Sequence, residues 1–106
     1  MASRPTSSAV LRAGADIGQQ LTTWRKLLGL TADQVADRAG IARGTLARIE
    51  RGDVGASMAG FLSVANALGQ LDRLIDATDP YETDLGRARA DQVLPQRVRV
   101  RRSRSS

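Results

Sequence analysis

From Asp16 onward, apolar residues recur at helical spacing. Ile17, Leu21, Trp24 and Leu28 stand at i, i+4, i+7 and i+11, a single face of a helix. Asp16 and Gln19 fit a D-x-x-Q capping arrangement, in which the first side chain accepts from unpaired amides and the second reaches back. Gly29 ends the helix as a left-handed cap. Thr31-Ala-Asp-Gln34 opens a second helix with another capping box, and Asp33 lies near the positive end of its dipole. The inner face of this helix is narrow: Val35, Ala36 and Ala39, before Gly40 breaks it. Only Gly40, Ile41 and Ala42 precede a third pattern, Arg43 to Arg51, with Leu46 and Ile49 inward and Gly52 as the stop.

Two short helices joined by a tight turn with Gly at its start are the sequence picture of a helix-turn-helix. A Gly-rich loop, Gly52-Asp-Val-Gly-Ala56, leads to Ser57 as N-cap of a fourth, strongly apolar helix. Its apolar positions are Met58, Phe61, Leu62, Ala65 and Leu68, ending at Gly69. Leu71, Leu74 and Ile75 mark a fifth, short helix. The pattern therefore predicts an all-α domain over residues 14–78. A domain of about 60 residues buries only about 60% of its unfolded surface, and a dimer would relieve that shortage.

The flanks differ from this core. Residues 1–13 are small and polar, and are expected to form a flexible N-terminal segment. Residues 79–96 form a C-terminal extension, where Asp79-Pro80-Tyr81-Glu82 has the acid, the proline and the glutamate of a helix start. Tyr81, Leu85 and Ala88 would share one face of that sixth helix, which Gly86 weakens by up to about 1 kcal/mol. Beyond Pro95, Arg97-Val98-Arg99-Val100-Arg101 alternates with period two, as in a short strand or a basic arm.

Charge sharpens the division. Of the 106 residues, 16 are basic and 11 acidic, a net charge of +5. Residues 97–106 hold Arg97, Arg99, Arg101, Arg102 and Arg104 and no acid, so residues 1–96 are neutral overall. The stretch 70–91 is acidic, with six acids and three arginines. There is no Cys and no His, which removes disulfides, thiol catalysis, catalytic triads and the usual transition-metal ligands. Three aromatic residues are too few for a base-stacking platform. No apolar run approaches the roughly 20 residues of a membrane span, and the N-terminus lacks a signal-peptide core. A cytoplasmic protein without enzymatic activity, cofactor or metal is expected.

Residues 17–69 resemble the Cro/C1-type (Xre family) helix-turn-helix repressors. The resemblance rests on Ile17-Gly-Gln-Gln-Leu-Thr-Thr-Trp-Arg25, Leu28-Gly-Leu-Thr-Ala-Asp-Gln-Val-Ala36 and Ala39-Gly-Ile-Ala-Arg-Gly-Thr-Leu-Ala-Arg-Ile-Glu-Arg-Gly52. Ala65-Asn-Ala-Leu-Gly69 fits the end of that domain's fourth helix. The resemblance implies a compact five-helix, lambda-repressor-like fold with a C-terminal extension. A shorter set, Asp79-Pro80, Gly86-Arg-Ala-Arg-Ala-Asp91 and Leu94-Pro-Gln-Arg-Val-Arg99, is similar to the extension of Xre-type antitoxins that accompany HipA-like kinase toxins.

By this resemblance the third helix enters the major groove of double-stranded DNA, and Arg43, Gly44, Ala47 and Arg48 face base edges. Arg43 and Arg48 are the candidates for base readout, since one arginine can bond O6 and N7 of guanine at once. Thr45 occupies a phosphate-contacting position, and Arg51 is a further phosphate candidate. An arginine on an exposed helix face is by default simply solvated; the register set by Gly40, Leu46, Ile49 and Glu50 favours function here. Arg25 and Glu50 match a partly buried ion pair that orients the third helix. Two departures weaken the match: Ala32 replaces a bracing Gln, and Ala42 replaces a Ser or Thr cap, a loss of about 0.5–2 kcal/mol. The implied partners are a pseudo-palindromic operator bound by a homodimer, with a protein toxin as the alternative. The arginine tail is a candidate contact for nucleic acid or for a partner.

Overall fold

The computed structural model describes residues 4–94. Six α-helices follow one another: α1 Ser8–Leu27, α2 Ala32–Ala39, α3 Arg43–Glu50, α4 Met58–Ala67, α5 Leu71–Thr78 and α6 Asp84–Val93. A single 3-10 turn, Pro80–Glu82, precedes α6, and there is no strand among the described residues. The all-α architecture expected from periodicity is therefore the one observed. The chain divides into two units, one ending at Gln70 and the next beginning at Leu71.

In the first unit, α1 packs on α3, α2 on α3 and α4, and α3 on α4. Leu21, Val35, Ala36, Leu46, Ile49, Val64 and Leu68 form its buried centre, with Trp24, Leu30, Ile41 and Phe61 packed around it. Most of the expected apolar stripe of α4 faces the core: Ala65 and Leu68 are buried, and Phe61 and Leu62 are half-buried. Val64 is fully buried, whereas Met58 is 74% exposed.

α1 begins well before the expected Asp16 cap. Ser7 is the N-cap, its hydroxyl accepting from the Val10 amide, so residues 8–13 of the segment expected to be flexible are helical. Leu28, expected on the apolar face of α1, is instead its half-exposed C-cap. The first turns carry no acid and few large apolar groups, which hides them from a periodicity reading. Their inner face is nonetheless continuous with the rest: Val10, Gly14, Ile17 and Leu21 line one side of an apolar groove of about 340 Å³. Val54, Met58 and Phe61 line the other side.

Gly14 and Gly18 let α1 approach the end of α3. A Cβ at Gly18 would lie 2.7 Å from the carbonyl oxygens of Ile49 and Glu50 and 2.8 Å from the Gly52 nitrogen. Gly52 answers from the other side. Its φ of +80° is open to glycine, and a Cβ there would lie 2.5 Å from the Ala15 Cα. Backbone thus meets backbone at this crossing.

In the second unit the expected sixth helix exists, but its start is divided. Asp79 accepts from the Tyr81 amide and closes the 3-10 turn, while Thr83 caps α6 through the Gly86 amide. Gly86 has a packing reason. A Cβ there would collide with the Pro80 carbonyl, so the fold of this unit requires its absence. The basic tail, residues 97–106, lies outside the described residues.

Candidate nucleic-acid interface

The helix before the turn, α2, is capped at both ends. Thr31 and Gln34 form a reciprocal capping box: the Thr31 hydroxyl accepts from the Gln34 backbone amide at 3.1 Å, and the Gln34 side-chain Oε1 accepts from the Thr31 backbone amide at 2.8 Å. At the far end Gly40 adopts φ 68° and ψ 33°. The Ile41 amide then reaches back to the Ala36 carbonyl, the longer bond of a Schellman motif. α3 starts at Arg43 with Ala42 as N-cap, and no side chain takes its first amides. Leu46 and Ile49 seat the helix on the core.

At 100° per residue, Arg43, Ala47, Arg51, Gly44 and Arg48 span an arc of about 140° on the side of α3 away from Leu46 and Ile49. Arg43, Gly44, Arg48 and Arg51 are exposed and Ala47 is half-buried. A Cβ on Gly44 would meet nothing within 4 Å, so bare backbone is presented in open space. Thr45 is not on this arc. It is half-buried, and its methyl lies near Gly60 of α4. Ala32, where the resemblance implies a bracing Gln, is partly buried against the core.

Arg25 and Glu50 join α1 to α3 through a two-pronged ion pair. Arg25 Nε donates to Glu50 Oε2 at 2.8 Å and Nη2 to Oε1 at 3.2 Å. The two side chains are only 15% and 14% exposed. The hydrogen bond from Arg25 to Glu50 raises the arginine's already high pKa further, so this charge is permanent.

Two of the three arginines of the outer arc, Arg43 and Arg48, have carboxylate partners that sequence reasoning missed. Arg43 Nε donates to Asp33 Oδ1 of α2 at 2.8 Å, and Arg48 Nε donates to Asp53 Oδ2 at 2.8 Å. Asp53 is itself anchored, since its Oδ1 accepts from the Gly55 amide at 2.8 Å. The Arg48 hydrogen bond, then the Gly55 amide, then the charges of Arg48 and Arg51 hold the Asp53 carboxyl below the usual carboxylate range. The Asp53 partnership has a sequence signal. Gly52 is the left-handed residue of a second Schellman motif, in which the Asp53 amide bonds the Arg48 carbonyl at 3.0 Å. That motif brings the residue after the glycine beside the one five positions earlier. The Asp33 partnership spans two helices and has no such local signature.

A short helix-turn-helix with a seated second helix and an outward arginine-bearing arc defines a class of DNA-binding protein. The family model described as "Helix-turn-helix domain" matches residues 16–78, more than half of the chain, and the chain belongs to that family. The domain is that of DNA-binding regulators, and its match runs through α5, beyond the boundary between the two units. No curated protein and no solved structure matches the chain. Among the described residues no helix is long and apolar enough to cross a membrane.

Proposed function

We propose that the protein is a Cro/C1-type, sequence-specific repressor that binds double-stranded DNA as a dimer. In this reading α3 lies in the major groove and Arg43 and Arg48 bond guanine edges. Gly44 and Ala47 permit close approach, while Thr45 and Arg51 serve the phosphate backbone. The observation that carries the proposal is the outward arc of α3, in a chain whose helix-turn-helix family membership is shown. A dimer would cover the exposed apolar side chains Val10, Val54 and Met58 around the groove, and would present two recognition helices about 34 Å apart. No catalytic role is assigned.

The test is a fluorescence-anisotropy titration of DNA from upstream of the protein's own gene, against unrelated DNA, at two salt concentrations. Wild type is expected to prefer its own DNA. Arg43→Ala/Arg48→Ala is expected to lose the preference while keeping salt-sensitive binding, with a salt slope of about 0.9 per neutralised phosphate. Absence of preference in the wild type contradicts the proposal.

The acidic stretch 70–91 favours an additional role, that of an antitoxin. Residues 70–91 carry six acids and three arginines, and α6 exposes Leu85 and Val93. A chain acting this way would inhibit a kinase-type toxin encoded beside it and use DNA binding for autoregulation. Purified protein that leaves such a kinase fully active would exclude the role.

A further inference from the structure

Arg43 and Arg48 are bonded to their carboxylates in the same manner but are held differently. In each pair the donor is Nε, so the two terminal Nη groups, which together match O6 and N7 of guanine, are left out of the pair. Asp33, the partner of Arg43, is 82% exposed, and no further hydrogen bond fixes its carboxylate among the described residues. Asp53, the partner of Arg48, is 40% exposed and bound at four points, one of them its carbonyl, which accepts from the Ala56 amide. Its amide donates to the Arg48 carbonyl, its Oδ1 accepts from Gly55, and its Oδ2 accepts from Arg48 Nε. The left-handed Gly52 makes this possible by turning the chain back onto the last turn of α3.

We infer that Asp53 is a positioning residue for base recognition, holding the Arg48 guanidinium by Nε so that its Nη pair is presented ready-oriented to guanine. The inference deepens the proposed function and rests on it. A free arginine side chain must lose rotamer freedom when it binds a base, whereas a tethered one has lost part of that freedom already. Tethering by a carboxylate also places a negative charge beside the phosphate backbone, which disfavours binding to DNA in general. Asp53 thus acts twice on discrimination, by sharpening the guanine contact and by weakening indiscriminate attraction. Asp33 shares the second effect, but its loosely held carboxylate gives little of the first.

Asp53→Asn removes both the tether and the charge while keeping the turn. The amide oxygen can still accept from Gly55 and preserve the turn, but the NH₂ group cannot accept from Arg48 Nε. The closing experiment compares wild type, Asp53→Asn, Arg48→Ala and their combination in the full chain. Melting temperature, the ratio of own-gene upstream DNA to unrelated DNA affinity, and exchange of the Arg48 Nε proton by NMR are read together. With the melting temperature unchanged, Asp53→Asn is expected to bind unrelated DNA more tightly and to lose about fivefold to tenfold of its preference, the lower end of the worth of one arginine–guanine pair. The combined variant is expected to lose little preference beyond that of Arg48→Ala, since the tether acts only through Arg48, and to bind unrelated DNA more tightly than Arg48→Ala does. The Arg48 Nε proton is expected to exchange slowly in wild type and as fast as a solvated arginine in Asp53→Asn.

If the preference survives Asp53→Asn but falls in Arg48→Ala, the inference is overturned and the repressor reading stands. If Arg48→Ala itself keeps full preference, the assignment of Arg48 as a reader fails and the inference falls with it. A fast-exchanging Arg48 Nε proton in the wild type overturns the inference whatever the DNA results. Asp53→Ala, which also breaks the Gly55 turn, serves as second variant: a preference equal to wild type there overturns it as well.

Discussion

On its inner side α3 buries Leu46 and Ile49, meets the backbone of α1 at Gly18, and sends Glu50 into a shielded pair with Arg25. On its outer side it carries Arg43 and Arg48, whose ion pairs with Asp33 and Asp53 stand in solvent. The same chemistry, arginine Nε to carboxylate at 2.8 Å, occurs on both faces. Its consequence differs with burial. A shielded pair contributes to stability because breaking it strands a desolvated charge. An exposed pair is worth little to the fold and, made through Nε, leaves the terminal Nη groups open to a new partner. One helix thus divides its work between holding its position and offering charge to a ligand.

The largest expected effect comes from breaking the inner face at its tightest point. Gly18→Ala places a methyl within 2.8 Å of three backbone atoms. It is expected to destabilise by about 3 kcal/mol, seen as a large fall in thermal midpoint. Glu50→Ala leaves Arg25 shielded without its partner, and about 2–3 kcal/mol should be lost in a denaturant melt. Ala42→Ser runs the other way. It supplies a hydroxyl to the uncapped start of α3 and should add about 1 kcal/mol.

The outer face should respond to pH rather than to packing. Because the Asp53 carboxyl is held below its ordinary range in the folded chain, its tether to Arg48 is complete above the ordinary carboxylate pKa and is lost as pH falls through the lowered value. An NMR titration of the aspartate side chains should therefore show Asp53 protonating later than a solvated aspartate as acid is added. Near neutral pH neither the pair nor stability should change.

Much of this division was legible from spacing. Thr31, Gln34, Gly40 and Gly52 mark ends whose geometry is local, and the pair Arg25 and Glu50 followed from family register. The first half of α1 was obscured because Asp16 looks like a cap and the residues before it are small. Yet Val10, Gly14, Ile17 and Leu21 continue one stripe, and glycine there reports close packing, not weakness. On α4 only the choice between Met58 and Val64 went astray, because nearly every position is apolar and periodicity cannot decide between them. The partners of the outer arginines were hidden for different reasons. Asp33 meets Arg43 only through the angle between two helices, while Asp53 was readable from the residue following the left-handed glycine.

The most direct test of the two-faced helix is to measure thermal midpoint and DNA preference on the same samples of wild type and Arg43→Ala/Arg48→Ala. Exposed substitutions of this kind usually change stability by within about 0.5 kcal/mol. The expected result is a nearly unchanged midpoint with the preference for own-gene upstream DNA abolished. A midpoint that falls as far as that of Glu50→Ala, or a preference that survives both substitutions, would contradict the division.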